Sequence, residues 1–201
     1  MKKYLIEFIG TFFLVLIIAL TGNPIAIGLG LAALVYMGGY ISGAQYNPAV
    51  TLAIWLTKKM DGKTALGYVC IQMVAAITAS AVYFFIRGTK FIPQPGVGVG
   101  FPAAVLVEII FTFLLASVVL HTAATEKTKG NDYYGLAIGV TVLAGAFAGG
   151  SISGAAFNPA VGLGPLFFDI TNLASYGTNI ALYSIGPLIG AGIAAAVYKI
   201  K

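Results

Sequence analysis

One ten-residue phrase occurs twice in this chain. Ile41-Ser-Gly-Ala-Gln-Tyr-Asn47-Pro48-Ala49-Val50 and Ile152-Ser-Gly-Ala-Ala-Phe-Asn158-Pro159-Ala160-Val161 agree at eight of ten positions, and the copies lie 111 residues apart in a chain of 201. Each half of the sequence therefore carries one. Asn is a favoured helix cap and Pro a favoured first helical residue, so both phrases read as helix starts. The apolar runs that follow, Pro48 to Thr57 and Pro159 to Phe168, are ten residues each. At 1.5 Å per residue that is roughly 15 Å of helix, about half the hydrocarbon thickness of a bilayer. A chain with two such segments is expected to hold a pair of half-spanning helices.

The surroundings must then be lipid. Only 8% of residues are charged and the mean hydropathy is +0.96, whereas a soluble domain carries about 25% charge. Six apolar stretches run over Tyr4–Leu20, Ile25–Ile41, Ala65–Ile86, Ala103–Leu120, Tyr133–Ala148 and Ile180–Tyr198. Most approach the ~20 residues that a membrane helix needs. The expected fold is an all-α integral membrane protein with six transmembrane helices and two half-spanning re-entrant helices. Glu7-Phe-Ile-Gly-Thr11 in the first span corresponds to Glu108-Ile-Ile-Phe-Thr112 in the fourth. Three spans and a returning half-span make each half enter the membrane in the opposite sense, an inverted repeat. The repeats are expected at approximately 1–87 and 102–201, joined by a Pro- and Gly-rich external linker, 88–101.

The net charge of +5 does not indicate nucleic-acid binding. With the N-terminus in the cytoplasm, Lys2, Lys3, Lys58, Lys59, Lys63, Lys127, Lys129, Lys199 and Lys201 fall inside, and only Arg87 and Lys90 outside. That asymmetry predicts cytoplasmic termini in the cell membrane, and it holds only if residues 48–57 do not cross. Lys2-Lys3 before an apolar run resembles a signal peptide, but Glu7 interrupts the run and no small-residue cleavage site follows, so a retained first helix is expected. Cys70 is the single cysteine and His121 the single histidine. No metal or cofactor site and no enzyme constellation is expected.

Two half-helices meeting tip to tip place about half a positive charge each at the midplane, which opposes cations. Asn47 and Asn158 cap these helices with their oxygens and leave NH2 donors for a passing oxygen. Ala44, Gln45 and Tyr46 on one side, and Ala155, Ala156 and Phe157 on the other, offer carbonyls along the passage, since irregular backbone at this depth lines a cavity. Glu7 and Glu108 are buried carboxylates expected to brace the re-entrant loops by accepting backbone N–H bonds. Tyr4, Trp55, Tyr68, Tyr133, Tyr134 and Tyr198 near span ends read as interfacial anchors. Pairs such as Gly39/Gly43, Gly135/Gly139, Gly150/Gly154 and Gly186/Gly190 read as close-packing surfaces.

These residues resemble the aquaporin, or major intrinsic protein, family over essentially the whole chain: Glu7-x-x-Gly10-Thr11, Ser42-Gly43 before the first Asn-Pro-Ala, Gly67-Tyr68, Gln72, Glu108 and Gly186-Pro187. The resemblance implies a homotetramer in membrane lipid, each subunit with its own pore for water or small neutral solutes. It also implies a selectivity filter at Ile27, Ala146, Ala155 and Val161. Family members commonly carry Arg where this chain has Val161, and often His where it has Gln45. An apolar filter without Arg is expected to pass glycerol, urea, ammonia or hydrogen peroxide besides water. Two competing classes are a secondary transporter, which needs ion-coupling ligands, and a structural membrane protein with an occluded pore.

Overall fold

The computed structural model describes residues 1–200. Eight α-helices follow in order: α1 (Lys2–Thr21), α2 (Pro24–Ser42), α3 (Pro48–Leu56), α4 (Gly62–Arg87), α5 (Phe101–Thr122), α6 (Tyr134–Ser153), α7 (Pro159–Phe168) and α8 (Gly177–Tyr198). Short 3-10 turns cover Glu126–Thr128 and Ile170–Tyr176. Six of the helices are long and apolar enough to cross a membrane, and α3 and α7 are the two short ones. The chain is thus an all-helical membrane protein.

The helix starts follow from local chemistry. Asn23 caps α2 by accepting from the Ile25 and Ala26 N–H groups at 2.9 and 3.3 Å. Asp61 caps α4 through the Thr64 N–H at 2.9 Å. These side chains satisfy donors that a helix end otherwise leaves open. The observed spans begin or end a few residues beyond the apolar runs because caps, not hydropathy, set the boundaries.

Packing obeys an internal exchange of the two halves. Replacing α1, α2, α3 and α4 by α5, α6, α7 and α8 turns each helix pairing into another that is also present. The pair α1–α4 becomes α5–α8, α1–α2 becomes α5–α6, α4–α7 becomes α8–α3, and α2–α6 and α3–α7 map onto themselves. This is the inverted repeat, with its axis passing between α2 and α6 and between α3 and α7. Gly139 makes the α2–α6 crossing close: a Cβ there would lie 2.3 Å from the Gly28 carbonyl oxygen. Gly190 lets α8 reach α5, with the Ile109 carbonyl oxygen 2.4 Å from where its Cβ would be.

Gly43 has no close neighbour, whereas a Cβ on Gly154 would lie 2.8 Å from the Gln94 carbonyl oxygen and the Tyr183 hydroxyl, and both glycines have a second role. They stop α2 and α6 in the left-handed conformation, at φ 87° and 86°, which glycine adopts without a Cβ clash. Each thereby turns the chain into the stretch that precedes a half-helix. The linker is also tied to the bundle. Gly96 donates to the Ile152 carbonyl at 3.1 Å, and Asn179 Nδ2 donates to the Pro93 carbonyl at 3.0 Å. Lys90 pairs with Asp169 at 2.6 Å. The linker is fastened over one mouth of the bundle, and this mouth is called the linker face below. The opposite face carries both termini: Lys3 Nζ reaches Thr64 at the start of α4, and Lys59 Nζ stands over the Tyr198 ring at the end of α8.

Candidate functional site

The half-helices meet at their N-termini. Asn47 Oδ1 accepts from the Ala49 and Val50 N–H groups at 2.8 and 3.4 Å, and Asn158 Oδ1 accepts from the Ala160 N–H at 2.9 Å. Each asparagine amide also crosses to the other half. Asn47 Nδ2 donates to the Phe157 carbonyl and Asn158 Nδ2 to the Tyr46 carbonyl, both at 2.9 Å. One N–H of each amide is spent on this reciprocal tie, which leaves the second for the lumen. Both asparagines are 3% exposed. From this contact α3 runs to the terminal face, and α7 runs to the linker face, where Asp169 ends it against Lys90.

The stretches leading into the asparagines are strained. Ala44 and Tyr46 have φ of 46° and 48°, and Ala155 and Phe157 have 52° and 48°. None is glycine, and such conformations cost about 1–3 kcal/mol each. Two buried carboxylates hold them. Glu7 accepts from Ser42 Oγ at 2.7 Å and from the N–H groups of Gln45 and Tyr46 at 2.9 and 2.7 Å. Glu108 accepts from Ser153 Oγ at 2.7 Å and from the N–H groups of Ala156 and Phe157 at 3.0 and 2.7 Å. Backbone donors that cannot enter a helix or reach water are satisfied here. The carbonyls then turn the other way, toward the space between the halves.

Three further residues complete this scaffold. Tyr68 is not an interfacial anchor: it is 1% exposed, and its hydroxyl donates to the Ser42 carbonyl at 2.8 Å. Tyr183 does the same for Ser153 at 2.7 Å. Gln72 Nε2 donates to Glu7 at 2.9 Å and to Thr51 Oγ1 at 3.2 Å. Nothing in the sequence singles out Tyr183: at the spacing of the doubled phrase, Tyr68 corresponds to Asn179.

A cavity of about 270 Å³ runs along the meeting point. Ile27, Ala146, Ala155 and Val161 all line it, together with Ala44, Gln45, Ala156, Asn47 and Asn158. It reaches Gly22, Pro24 and Phe91 toward the linker face and Leu115 and Val119 toward the terminal face. Phe147, one position from Ala146, is 61% exposed and points elsewhere. Tyr46 and Phe157 stay outside the lining. The Tyr46 hydroxyl donates to the Leu34 carbonyl, and the Phe157 ring packs on Phe111. Pro48, Ala49, Pro159 and Ala160 are buried as the first turns of the half-helices. No group of three or more metal-ligating side chains occurs among the described residues.

A six-span bundle whose two half-helices abut beside a lined cavity defines a transmembrane channel. The sequence profile of the major intrinsic protein family matches residues 1–198, and the chain belongs to that family. It is 34% identical to aquaporin AqpM of Methanothermobacter thermautotrophicus over 240 residues, covering 98% of this chain and 96% of that one. It is 37% identical to glycerol uptake facilitator protein-like 6 of Lactiplantibacillus plantarum over 215 residues, covering 97% and 95%. The crystallographic aquaglyceroporin of Plasmodium falciparum shares the fold at a TM-score of 0.83 and 20% identity, covering 99% of this chain and 96% of that chain. Members of this family are channels and not enzymes, and this chain is a passive channel for water or small uncharged solutes.

Proposed function

We propose that the chain conducts small uncharged solutes beyond water, with glycerol, urea, ammonia and hydrogen peroxide as the solute class, through a filter made by Ile27, Ala146, Ala155 and Val161. The observation that carries this reading is the single cavity lined by all four positions and by both asparagines. A filter without Arg lacks a fixed positive charge and a bidentate donor. Solutes then pass it by size and apolar contact. One relative is named for glycerol uptake and another as an aquaporin, which fits a pore that admits both.

Ions and protons are excluded at the next step inward. The first turns at Pro48-Ala49 and Pro159-Ala160 bring two positive helix ends together, and the free amide N–H groups of Asn47 and Asn158 hold a passing oxygen as an acceptor. A water held that way turns its hydrogens outward in both directions, so no proton wire runs through. The carbonyls of Ala44, Gln45, Ala155 and Ala156 accept from the solute on either side of that point, those of Tyr46 and Phe157 being taken by the asparagines. Glu7 and Glu108 brace both loops.

The functional unit is a homotetramer in the cell membrane, each subunit with its own pore, with both termini in the cytoplasm. The lysine asymmetry supports the orientation. The repeats are 1–87 and 102–201, with 88–101 as the external linker. A monomeric mass in mild detergent, or a terminal tag open to protease from outside, counts against these two assignments.

The test of the filter is stopped-flow swelling of reconstituted vesicles in water, urea and glycerol gradients, with wild type and Val161→Arg side by side. The variant is expected to lose glycerol first and water last. Wild-type solute permeability no better than that of protein-free vesicles would reject the apolar filter.

A further inference from the structure

A second cavity, of about 430 Å³, opens at the terminal face between Lys59, Glu126 and Ala124. It and the central cavity share two lining residues, Gln45 and Val119. The two cavities therefore adjoin at the Gln45 amide and the Val119 isopropyl group. Ile54 and Met60 continue the apolar surface beyond it.

Gln45 differs from every other polar side chain of the central cavity. Only three are present: Gln45, Asn47 and Asn158. Both asparagine oxygens are committed to capping, and both amide nitrogens have a partner across the repeat. Gln45 is 8% exposed, and its Oε1 is enclosed without any hydrogen-bond partner. Its Nε2 lies on the Gly43 side, 3.8 Å from where a Gly43 Cβ would be, and Gly43 lines the terminal-face cavity. The backbone beneath is fixed, since the Gln45 N–H is bound to Glu7 at 2.9 Å. No hydrogen bond holds the amide oxygen, while the backbone beneath it is anchored.

We propose that Gln45 is a specificity-determining residue at the junction of the two cavities, selecting small neutral solutes that carry N–H or O–H donors. This rests on the channel reading and adds to it a polar checkpoint that the apolar filter lacks. A buried acceptor without a partner is costly. When the amide turns Oε1 from its enclosed position toward the terminal-face cavity, a solute or water bearing a donor removes that cost, whereas an apolar molecule does not. Half a turn of the amide exchanges donor and acceptor, so the same side chain can meet a urea N–H, a glycerol hydroxyl or water. Val119, the other residue common to both cavities, supplies no competing bond, which leaves Gln45 as the one polar side chain at the junction to read the solute.

The experiment compares Gln45→Leu, Gln45→Ala and Gln45→His with wild type in the vesicle swelling assay, with thermal stability in detergent as a folding control. Gln45→Leu keeps most of the bulk and removes the hydrogen bond. It is expected to lower urea and water permeability roughly two- to tenfold, the scale of one net hydrogen bond. Gln45→His, which retains a donor and an acceptor, is expected to restore most of that loss. Gln45→Ala is expected to raise glycerol permeability relative to water. If Gln45→Leu folds and conducts urea and water as wild type does, the assignment falls while the channel reading stands. If wild type itself conducts nothing, the channel reading falls and takes this assignment with it.

Discussion

Replacing Glu108 with glutamine removes one charge and changes almost no volume. The carboxylate receives Ser153 Oγ and the Ala156 N–H on Oε1 and the Phe157 N–H on Oε2. In Glu108→Gln the better orientation keeps the oxygen at the Oε1 site and puts the NH2 against the Phe157 N–H, two donors face to face. One buried backbone donor is then orphaned, at about 1–3 kcal/mol, and the other two bonds each lose about 1 kcal/mol of charge assistance. The loop is weakened on the order of 3–5 kcal/mol by these terms. That is enough to release the left-handed backbone at Ala155 and Phe157, each of which stores about 1–3 kcal/mol. Asn158 then loses its position against Tyr46. At 2–4 °C per kcal/mol for a chain of this size, the melting temperature in detergent is expected to fall by roughly 6–20 °C. Water permeability per folded channel falls with it. The matching Glu7→Gln is expected to be milder, because Gln72 can turn over and offer its unpartnered Oε1 to the new amide. A Glu108→Gln protein that melts and conducts like wild type would show that no ionised brace holds the second loop.

Asp169→Asn is expected to loosen the linker. Lys90, with Tyr176, Asn172 and Thr171, holds the Asp169 carboxyl well below the usual carboxylate range. A depressed folded-state value contributes stability that is present above the unfolded value of about 3.9 and lost as pH falls toward the folded one. Melting curves of wild type and Asp169→Asn should therefore differ most at pH 7 and begin to converge below about pH 4; curves separated by the same interval at pH 7 and pH 3 contradict the ion pair's role. Gly139→Leu is expected to disrupt the α2–α6 crossing, since even a Cβ there would lie 2.7 Å from the Ala32 Cβ. Such overpacking costs typically 1–3 kcal/mol or more, and an unchanged melting temperature in detergent would show that the two helices can move apart freely.

What the sequence made legible was what repeats or is periodic. The doubled phrase at Asn47 and Asn158 places two helix starts, because Asn-Pro has a local reason to begin a helix wherever it stands. The apolar runs mark six spans because length against bilayer thickness is a one-dimensional question. Their ends were less legible: α3 stops at Leu56, with Thr57 as its cap, and α6 continues to Ser153, five residues past the apolar run, because Gly154 ends it. The tyrosines show the limit more sharply. Near a span end a tyrosine is read as an interfacial anchor from position alone, yet Tyr68 and Tyr183 point inward. The demand that recruits them, an otherwise open carbonyl on Ser42 or Ser153, arises only once the chain has turned at Gly43 or Gly154.

The linker was less legible still, for the same reason. Its prolines and glycines describe a chain that cannot form a helix, and they are silent on where that chain lies. Asp169, Asn179 and the Ile152 carbonyl fix it at three points remote in sequence, and so deliver Phe91 to the cavity wall. The two halves are therefore not equivalent in use although they match in plan. The mouth toward which α7 runs carries a fastened strap, and the mouth toward which α3 runs carries Gln45 in its place, with Gln72 bracing Glu7 behind it. The repeat lays out the passage, and the residues that break the repeat are where its two ends differ.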